Sequence, residues 1–88
     1  MAFEIIVLQR GWVIAGNRDV DGDTVTMTNC KIVRIWGTTS GLGEIAKGGP
    51  TKKTVLDDAG TTFHHIGAEV LRFKCNAEAW GGDQDAER

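Results

Sequence analysis

Apolar and polar residues alternate along most of this chain with the two-residue period of β-strands. The clearest case is the segment 24–28, where Val25 and Met27 fall on one face and three threonines fall on the other. Similar stretches rich in β-branched and apolar residues recur from one end of the chain to the other. We predict strands over residues 3–8, 12–15, 24–28, 31–36, 51–56, 61–66 and 69–75.

Turn-forming residues separate these predicted strands. The segment 17–23 ends in an Asp-Gly pair that favours a tight hairpin, and 57–60 carries Asp-Asp-Ala-Gly. Helical material is confined to residues 41–47, where Glu44 and Lys47 suit the dipole of one short helix or helical turn. The pattern therefore predicts an all-β fold, a small antiparallel barrel or sandwich of six to seven short strands.

The chain of 88 residues has room for a single domain with one modest core. We place a single β domain at 1–76 and a flexible acidic tail at 77–88. Trp12 and Trp80 are predicted to be core or interface anchors, because tryptophan is costly to leave in water. Since so small a core stabilises a monomer weakly, we also expect a homo-oligomer.

Ten basic and twelve acidic residues give a net charge of −2, which argues against a dedicated duplex-DNA binder, so we expect no nucleic-acid partner. No stretch approaches the roughly 20 apolar residues of a membrane span, so a membrane partner is not expected either. Cys30 and Cys75 are interpreted as buried thiols, although their pairing in a disulfide stays open.

The most distinctive segment is 37–53, which we call the recognition loop. Five of the twelve glycines lie between Gly37 and Gly49, and the only proline follows. Such a concentration indicates unusual backbone angles or the close approach of another group. Residues 41–46 match a G-x-G-x-x-A fingerprint, but they lack the βαβ unit that dinucleotide binding needs. The spacing of a phosphate loop also fails, because Gly49-Pro50 stands where Lys and Ser/Thr are required.

A weaker prediction survives, in which backbone N–H groups, hydroxyls and lysines of this loop hold a phosphate or a carboxylate. The candidate ligand-binding residues are Arg34, Trp36, Thr38, Thr39, Gly41, Gly43, Lys47, Lys52 and Lys53. The alternative is an ordered loop that covers the open end of a barrel, with Leu42 and Ile45 as its plugs. Both interpretations fit the sequence.

No pattern in the chain indicates catalysis or metal binding. His64 and His65 are adjacent, so on a strand they face opposite sides, one inward and one outward. Neither a C-x-x-C nor an H-x-x-x-H pair occurs, and no nucleophile–base pair or pair of carboxylates has a supportable spacing. We therefore expect no metal, no cofactor and no enzymatic activity.

Two blocks carry a resemblance to a known group of proteins. The motif QRGWV at 9–13, and RIWGTTSGLGEIA at 34–46 with GPT at 49–51, resemble a family of small proteins encoded by bacteriophages and prophages. The resemblance covers about residues 5–75. That family has no assigned activity, so no site residue is carried over. It implies a phage-derived accessory protein that works in the bacterial cytoplasm.

These observations predict a non-enzymatic, self-associating phage or prophage accessory protein. It would bind a small anionic ligand or a host protein through the recognition loop, with counter-defence as a plausible role. The alternative is a minor virion or assembly protein whose strands pair with copies of itself.

Overall fold

The computed structural model describes residues 2–38 and 41–80. Five antiparallel strands form one sheet with the spatial order β4-β3-β2-β1-β5. The strands are β1 (Ala2–Leu8), β2 (Val13–Asp21), β3 (Thr24–Ile35), β4 (Val55–His65) and β5 (Glu69–Lys74). One helix, α1 (Leu42–Gly48), and three short 3-10 turns, Gln9–Gly11, Ile66–Ala68 and Ala77–Trp80, complete the described chain. The all-β prediction is confirmed, together with the short helix in the loop.

The strands are fewer and longer than the six or seven predicted from the sequence. Predicted strands 24–28 and 31–36 are one strand, β3, and the predicted turn at 57–60 is wrong because β4 runs through it. Residues 51–54 form a turn instead of the start of a strand. Two residues of types that commonly form turns, Asn29 and Gly60, form bulges here. Both adopt left-handed backbone angles within continuous strands.

These irregularities lie side by side across three neighbouring strands. The β2–β3 register shifts around Gly16, and the β3–β4 register shifts between Met27 and Cys30, next to Gly60. A Cβ on Gly16 would lie 2.9 Å from the Thr28 carbonyl oxygen, so β2 and β3 approach each other closely there. Because each bulge bends its strand and increases its twist, their alignment makes a crease across the sheet.

The creased sheet is rolled into a partly open barrel. β4 and β5 are its opposite edges, yet only Ile66–Ala68 joins them. A flat sheet would hold the two edges about 19 Å apart, whereas four peptide steps reach at most about 14 Å. The edges therefore meet at this end, where the Ile66 N–H donates to the Asp23 carbonyl over 2.8 Å. No ladder joins β4 to β5 within residues 2–38 and 41–80, so both edges stay unpaired.

Apolar side chains pack on both faces of the rolled sheet. The inside of the roll holds Ile6, Ile14, Val25, Met27 and Cys30. The other face holds Phe3, Ile5, Val13, Ala15, Val33 and Cys75, covered by Leu42, Ile45 and Ala46 of α1 and by Trp80. Burial of each large side chain contributes roughly 1.5–3 kcal/mol, so α1 is a structural layer of the domain.

The domain extends beyond the boundary at residue 76 that we expected. Ala77–Trp80 is a 3-10 turn, and Trp80 is buried with its ring centroid 5.2 Å from that of Phe3. Residues 81–88 of the predicted tail lie outside the described residues. Trp12 is not a core anchor, because 55% of it is exposed.

Candidate functional site

The recognition loop is fastened at both ends by two threonines that follow Pro50. Thr54 Oγ1 donates to the Trp36 carbonyl over 2.7 Å, and Thr51 Oγ1 donates to the Gly37 carbonyl over 2.6 Å. Two consecutive carbonyls at the end of β3 are thus held by hydroxyls that lie just before β4. The loop therefore leaves and rejoins the sheet in a fixed geometry.

The same two hydroxyls also organise the turn at 51–54. Thr51 N donates to Thr54 Oγ1 over 2.9 Å, and Lys53 N donates to Thr51 Oγ1 over 3.1 Å. Sequence reasoning missed both threonines. The signal was present in Pro-Thr-Lys-Lys-Thr, because hydroxyl residues after a proline commonly bind nearby backbone groups in turns.

Two glycines of the loop are required by close backbone approach. Gly37 has a φ of +66°, and a Cβ there would clash with the backbone of Lys53. Gly49 has a φ of +82°, and a Cβ there would clash with the backbone of Ala79. A side chain at Gly41 would instead point into open space. The glycine concentration thus serves the packing of this loop onto its own chain.

Helix α1 buries the two side chains that the alternative interpretation named, Leu42 and Ile45, but it covers one face of the sheet and not the open end of a barrel. Leu42, Ile45 and Ala46 are buried against the sheet, and the Ile45 carbonyl accepts a hydrogen bond from Trp80 Nε1 over 2.9 Å. The Asn76 N–H donates to the Ala46 carbonyl over 2.8 Å. The loop therefore covers the core and is fixed from two directions.

The polar groups expected to hold an anion are largely engaged within the protein. Arg34 makes two hydrogen bonds to Asp57, at 2.9 and 3.2 Å, and these bonds raise the pKa of its guanidinium. Gly41 N donates to Thr38 Oγ1 over 3.0 Å, and Glu44 N donates to the Gly41 carbonyl. These groups fix the shape of the loop and do not converge on a site that an anion could enter.

The remaining candidates lie at separate places on the surface. Lys47 and Gly43 line a shallow cleft of about 510 Å³ beside α1, together with Glu44. Lys52 and Lys53 are exposed on the 51–54 turn and do not line that cleft. Thr39 lies outside the described residues.

The end of β3, just before the recognition loop, presents two apolar side chains to solvent on a fixed backbone. Ile35 and Trp36 are 50% and 44% exposed although their backbone ends a strand and is fixed by Thr54. Lys52 and Lys53 are exposed on the 51–54 turn, and the backbone of Lys53 lies against Gly37, the residue after Trp36. We call these four residues the Trp36 surface. It combines a tryptophan, a branched aliphatic side chain and two positive charges.

A second cluster, at the seam between β4 and β5, was not predicted. Arg18 donates two hydrogen bonds to Glu69, at 2.7 and 3.0 Å, and His64 Nε2 donates to the same carboxylate over 2.7 Å. All three side chains are about nine-tenths buried. Burial acts to raise the pKa of Glu69, but the bonds from Arg18 and His64 outweigh it and hold that pKa below its usual value.

The two histidines face opposite sides, as predicted. His64 points inward to Glu69, whereas His65 is exposed and its Nδ1 accepts from the Gly67 N–H over 2.8 Å. Within the described part of the chain, no three His, Cys, Asp or Glu side chains are grouped as metal ligands. The histidines therefore have structural partners in the seam.

The cysteines are free thiols in separate apolar layers. Cys30 lies inside the roll and Cys75 lies under α1, so they do not form a disulfide. Burial raises the pKa of the Cys75 thiol to about 12 and also raises that of Cys30. Both are therefore poor nucleophiles in the folded protein.

None of the helices described here has the length and apolar character needed to cross a bilayer. The resemblance to phage-encoded proteins stays a prediction. No protein-family model, curated protein or solved structure matches the chain.

Proposed function

We propose that this protein is a non-enzymatic accessory protein of phage or prophage origin that binds a host protein through the Trp36 surface. The observation that carries this proposal is the half-exposed Trp36 ring on a backbone fixed at two successive carbonyls. Tryptophan is among the residues that contribute most to protein–protein binding when they enter a pocket on the partner.

The rigid frame strengthens this proposal. Association costs entropy when loops and side chains must be ordered, and a surface fixed in advance avoids much of that cost. The hydroxyls of Thr51 and Thr54 supply the order before any partner arrives. Trp36 is thus presented in one backbone geometry, as a binding anchor requires.

The two lysines define the chemistry of the partner. Lys52 and Lys53 are exposed on the turn whose backbone lies against Gly37, so a complementary surface would be acidic near an apolar pocket. Binding should weaken with ionic strength because exposed charges are screened. A small anion is less well supported, since Arg34, Thr38 and Gly41 already hold one another or neighbouring groups.

The test compares Trp36→Ala with Trp12→Ala, a control that removes another exposed tryptophan. Immobilised wild-type protein and both variants are incubated with host lysate, and bound proteins are quantified by mass spectrometry. We expect a host protein bound by wild type and Trp12→Ala to fall at least tenfold with Trp36→Ala and with Lys52→Glu/Lys53→Glu. Unchanged thermal melting shows that the variants fold.

Two results would contradict the proposal. In one, no bound protein depends on Trp36 while all variants remain folded. In the other, inorganic phosphate raises the melting temperature of wild type but not of Lys52→Ala/Lys53→Ala, which would favour the small anionic ligand.

A minor virion or assembly protein is the second candidate. The observation that favours it is that β4 and β5, the two edge strands of the sheet in the described part of the chain, each have one free side and carry exposed apolar side chains. Such a protein would co-purify with phage particles in a fixed ratio. An accessory protein would stay in the cleared lysate of infected cells.

A further inference from the structure

A cleft of about 430 Å³ lies at the start of β5, next to the turn that joins β4 to β5. Its walls combine two arginines, one carboxylate and three apolar residues: Arg18, Ile66, Glu69, Val70, Leu71 and Arg72. This volume lies in the range of pockets that bind small molecules. None of these lining residues belongs to the Trp36 surface, so an inference from the cleft does not depend on the proposed host partner.

A bulge in β5 places an exposed apolar residue in the wall of the cleft. Leu8 is paired with Glu69 and Val7 is paired with Leu71, so Val70 is the extra residue on β5. Val70 is 66% exposed. Bulges of this kind redirect a side chain and are common beside functional sites. An exposed valine close to two arginines suits a ligand that has both an apolar and a charged part.

Positive charges outnumber negative charges among the side chains at this place. Arg72 and Lys74 lie on one face of β5, and the strand register places Lys74 opposite Glu4. Arg18 is hydrogen-bonded to Glu69. Three cationic side chains therefore accompany two carboxylates, and this group carries an excess of one positive charge.

The guanidinium of Arg72 is the part of this group that a ligand could reach. Its Nε lies 3.4 Å from Glu4 Oε1, whereas a charge-assisted hydrogen bond between such groups spans roughly 2.7–2.9 Å. Glu4 also lies opposite Lys74, so Arg72 shares that carboxylate. The Arg72 side chain is 48% exposed. Because a guanidinium carries several N–H donors in a fixed plane, Arg72 keeps donors for a second carboxylate.

Arg18 adds a positive charge that is fixed in position. Its side chain is 9% exposed and donates two hydrogen bonds to Glu69. These bonds, together with the charge of Glu4, raise the pKa of the Arg18 guanidinium, so it stays charged. A charge that is largely withdrawn from water is screened less by salt than an exposed one. Arg18 therefore raises the electrostatic potential of the cleft even without contacting a ligand.

We propose that this cleft binds a small amphipathic carboxylate, whose charged group pairs with Arg72 and whose apolar part contacts Val70 and Ile66. The excess of one positive charge matches a monoanion. Burial of the apolar part against Val70 supplies affinity that a simple anion does not gain. Inorganic phosphate would leave that apolar wall in water.

The test is an NMR titration of the isotope-labelled protein with hexanoate, at constant ionic strength. Hexanamide keeps the apolar chain of this probe without its charge, and acetate keeps the charge without the chain. Arg72→Gln removes the pairing group. Arg34→Gln is the matched control, because it also removes an exposed arginine that pairs with a carboxylate on a neighbouring strand. Val70→Asp puts a like charge into the apolar wall and serves as the test if Arg72→Gln does not fold.

We expect hexanoate to shift the amide signals of residues 66–72 until they saturate, and hexanamide and acetate to bind at least tenfold more weakly. Arg72→Gln and Val70→Asp should each weaken hexanoate binding at least tenfold, whereas Arg34→Gln should bind it as wild type does. The proposal is overturned if hexanoate gives no saturable shifts at 66–72, or if a folded Arg72→Gln or Val70→Asp variant binds it as wild type does. Equal binding of hexanoate with either acetate or hexanamide would also overturn it.

Discussion

Arg18 and Glu69 are 51 residues apart in the chain, and their side chains form a two-point ion pair with distances of 2.7 and 3.0 Å inside the rolled sheet. The pair joins β2 to the start of β5. His64 extends it to β4, so three strands meet at one carboxylate. This network holds together the end of the barrel where the two edges approach.

The first prediction concerns that carboxylate. Glu69→Gln leaves the largely buried Arg18 without its counter-charge and should lower the free energy of unfolding by about 2 kcal/mol. Denaturant unfolding followed by tryptophan fluorescence measures the loss. The control is Asp57→Asn, which breaks the geometrically similar pair with Arg34 on the exposed surface. We expect a much smaller change there, and equal losses for both variants would contradict the importance of burial.

The Glu69 carboxylate also makes the free energy of unfolding depend on pH. The pKa of Glu69 is lower in the folded protein than its usual value near 4.5, so its contribution is present above that pH and is lost as the pH falls through the folded-state pKa. The stability difference between wild type and Glu69→Gln should therefore shrink below about pH 4.5. Denaturant titrations from pH 7 to pH 3 measure it, and a constant difference over that range would refute the prediction.

Glycines in the recognition loop should differ sharply in their tolerance of alanine. At Gly37 and Gly49 a methyl group would meet backbone atoms, so each change should cost at least about 2 kcal/mol of stability. Gly43 lies within α1 and its Cβ would be 4.0 Å from the Phe73 ring. Gly43→Ala should therefore gain about 0.5–1 kcal/mol from helix propensity. The prediction fails if melting curves rank Gly43→Ala with the other two.

The role of the Thr54 hydroxyl in fixing the loop can be tested by replacing that hydroxyl alone. Thr54→Val keeps the shape of the side chain but leaves the Trp36 carbonyl and the Thr51 N–H without their hydroxyl partner. We expect a loss of about 1–2 kcal/mol, whereas Thr54→Ser, which keeps the hydroxyl, should recover most of it. Faster amide exchange at 51–54 in the valine variant would locate the effect. Identical exchange in both variants would show that the hydroxyl does not hold the loop.

Thiol chemistry gives an independent check on the core. With a pKa of about 12, only about one Cys75 thiol in ten thousand is ionised at pH 8. Neither Cys75 nor Cys30 should react with iodoacetamide until the protein unfolds, and both should then be alkylated. Mass spectrometry counts the added groups with and without denaturant. Rapid labelling of the native protein would mean that these layers open easily.

The alternation of apolar and polar residues was enough to predict the all-β class, and the charges of Glu44 and Lys47 were enough to place the short helix α1. It was not enough for the strand count, because Asn29 and Gly60 have the composition of turns but act as bulges inside β3 and β4. Whether a glycine ends a strand or bends it depends on the neighbouring strands. That information is absent from a local pattern.

The candidate site, too, was predicted only in part from the sequence. Glycine content correctly marked the loop as conformationally special, but the partners of Gly37 and Gly49 are backbone atoms near Lys53 and Ala79. The seam of Arg18, His64 and Glu69 had no sequence signal, because its members come from three strands that meet only after the sheet rolls. Long-range pairs of this kind follow from topology.

Among the residues that hold helix α1 in place, those at 76–80 are the last to be synthesised. Trp80 bonds to the Ile45 carbonyl, Asn76 to the Ala46 carbonyl, and Ala79 lies against Gly49. During synthesis on the ribosome, α1 therefore lacks these contacts until residues 76–80 have emerged from the exit tunnel. A nascent chain stalled before that point would hold a sheet whose helical cover is not fixed, although Thr51 and Thr54 would already be present to hold the Trp36 surface.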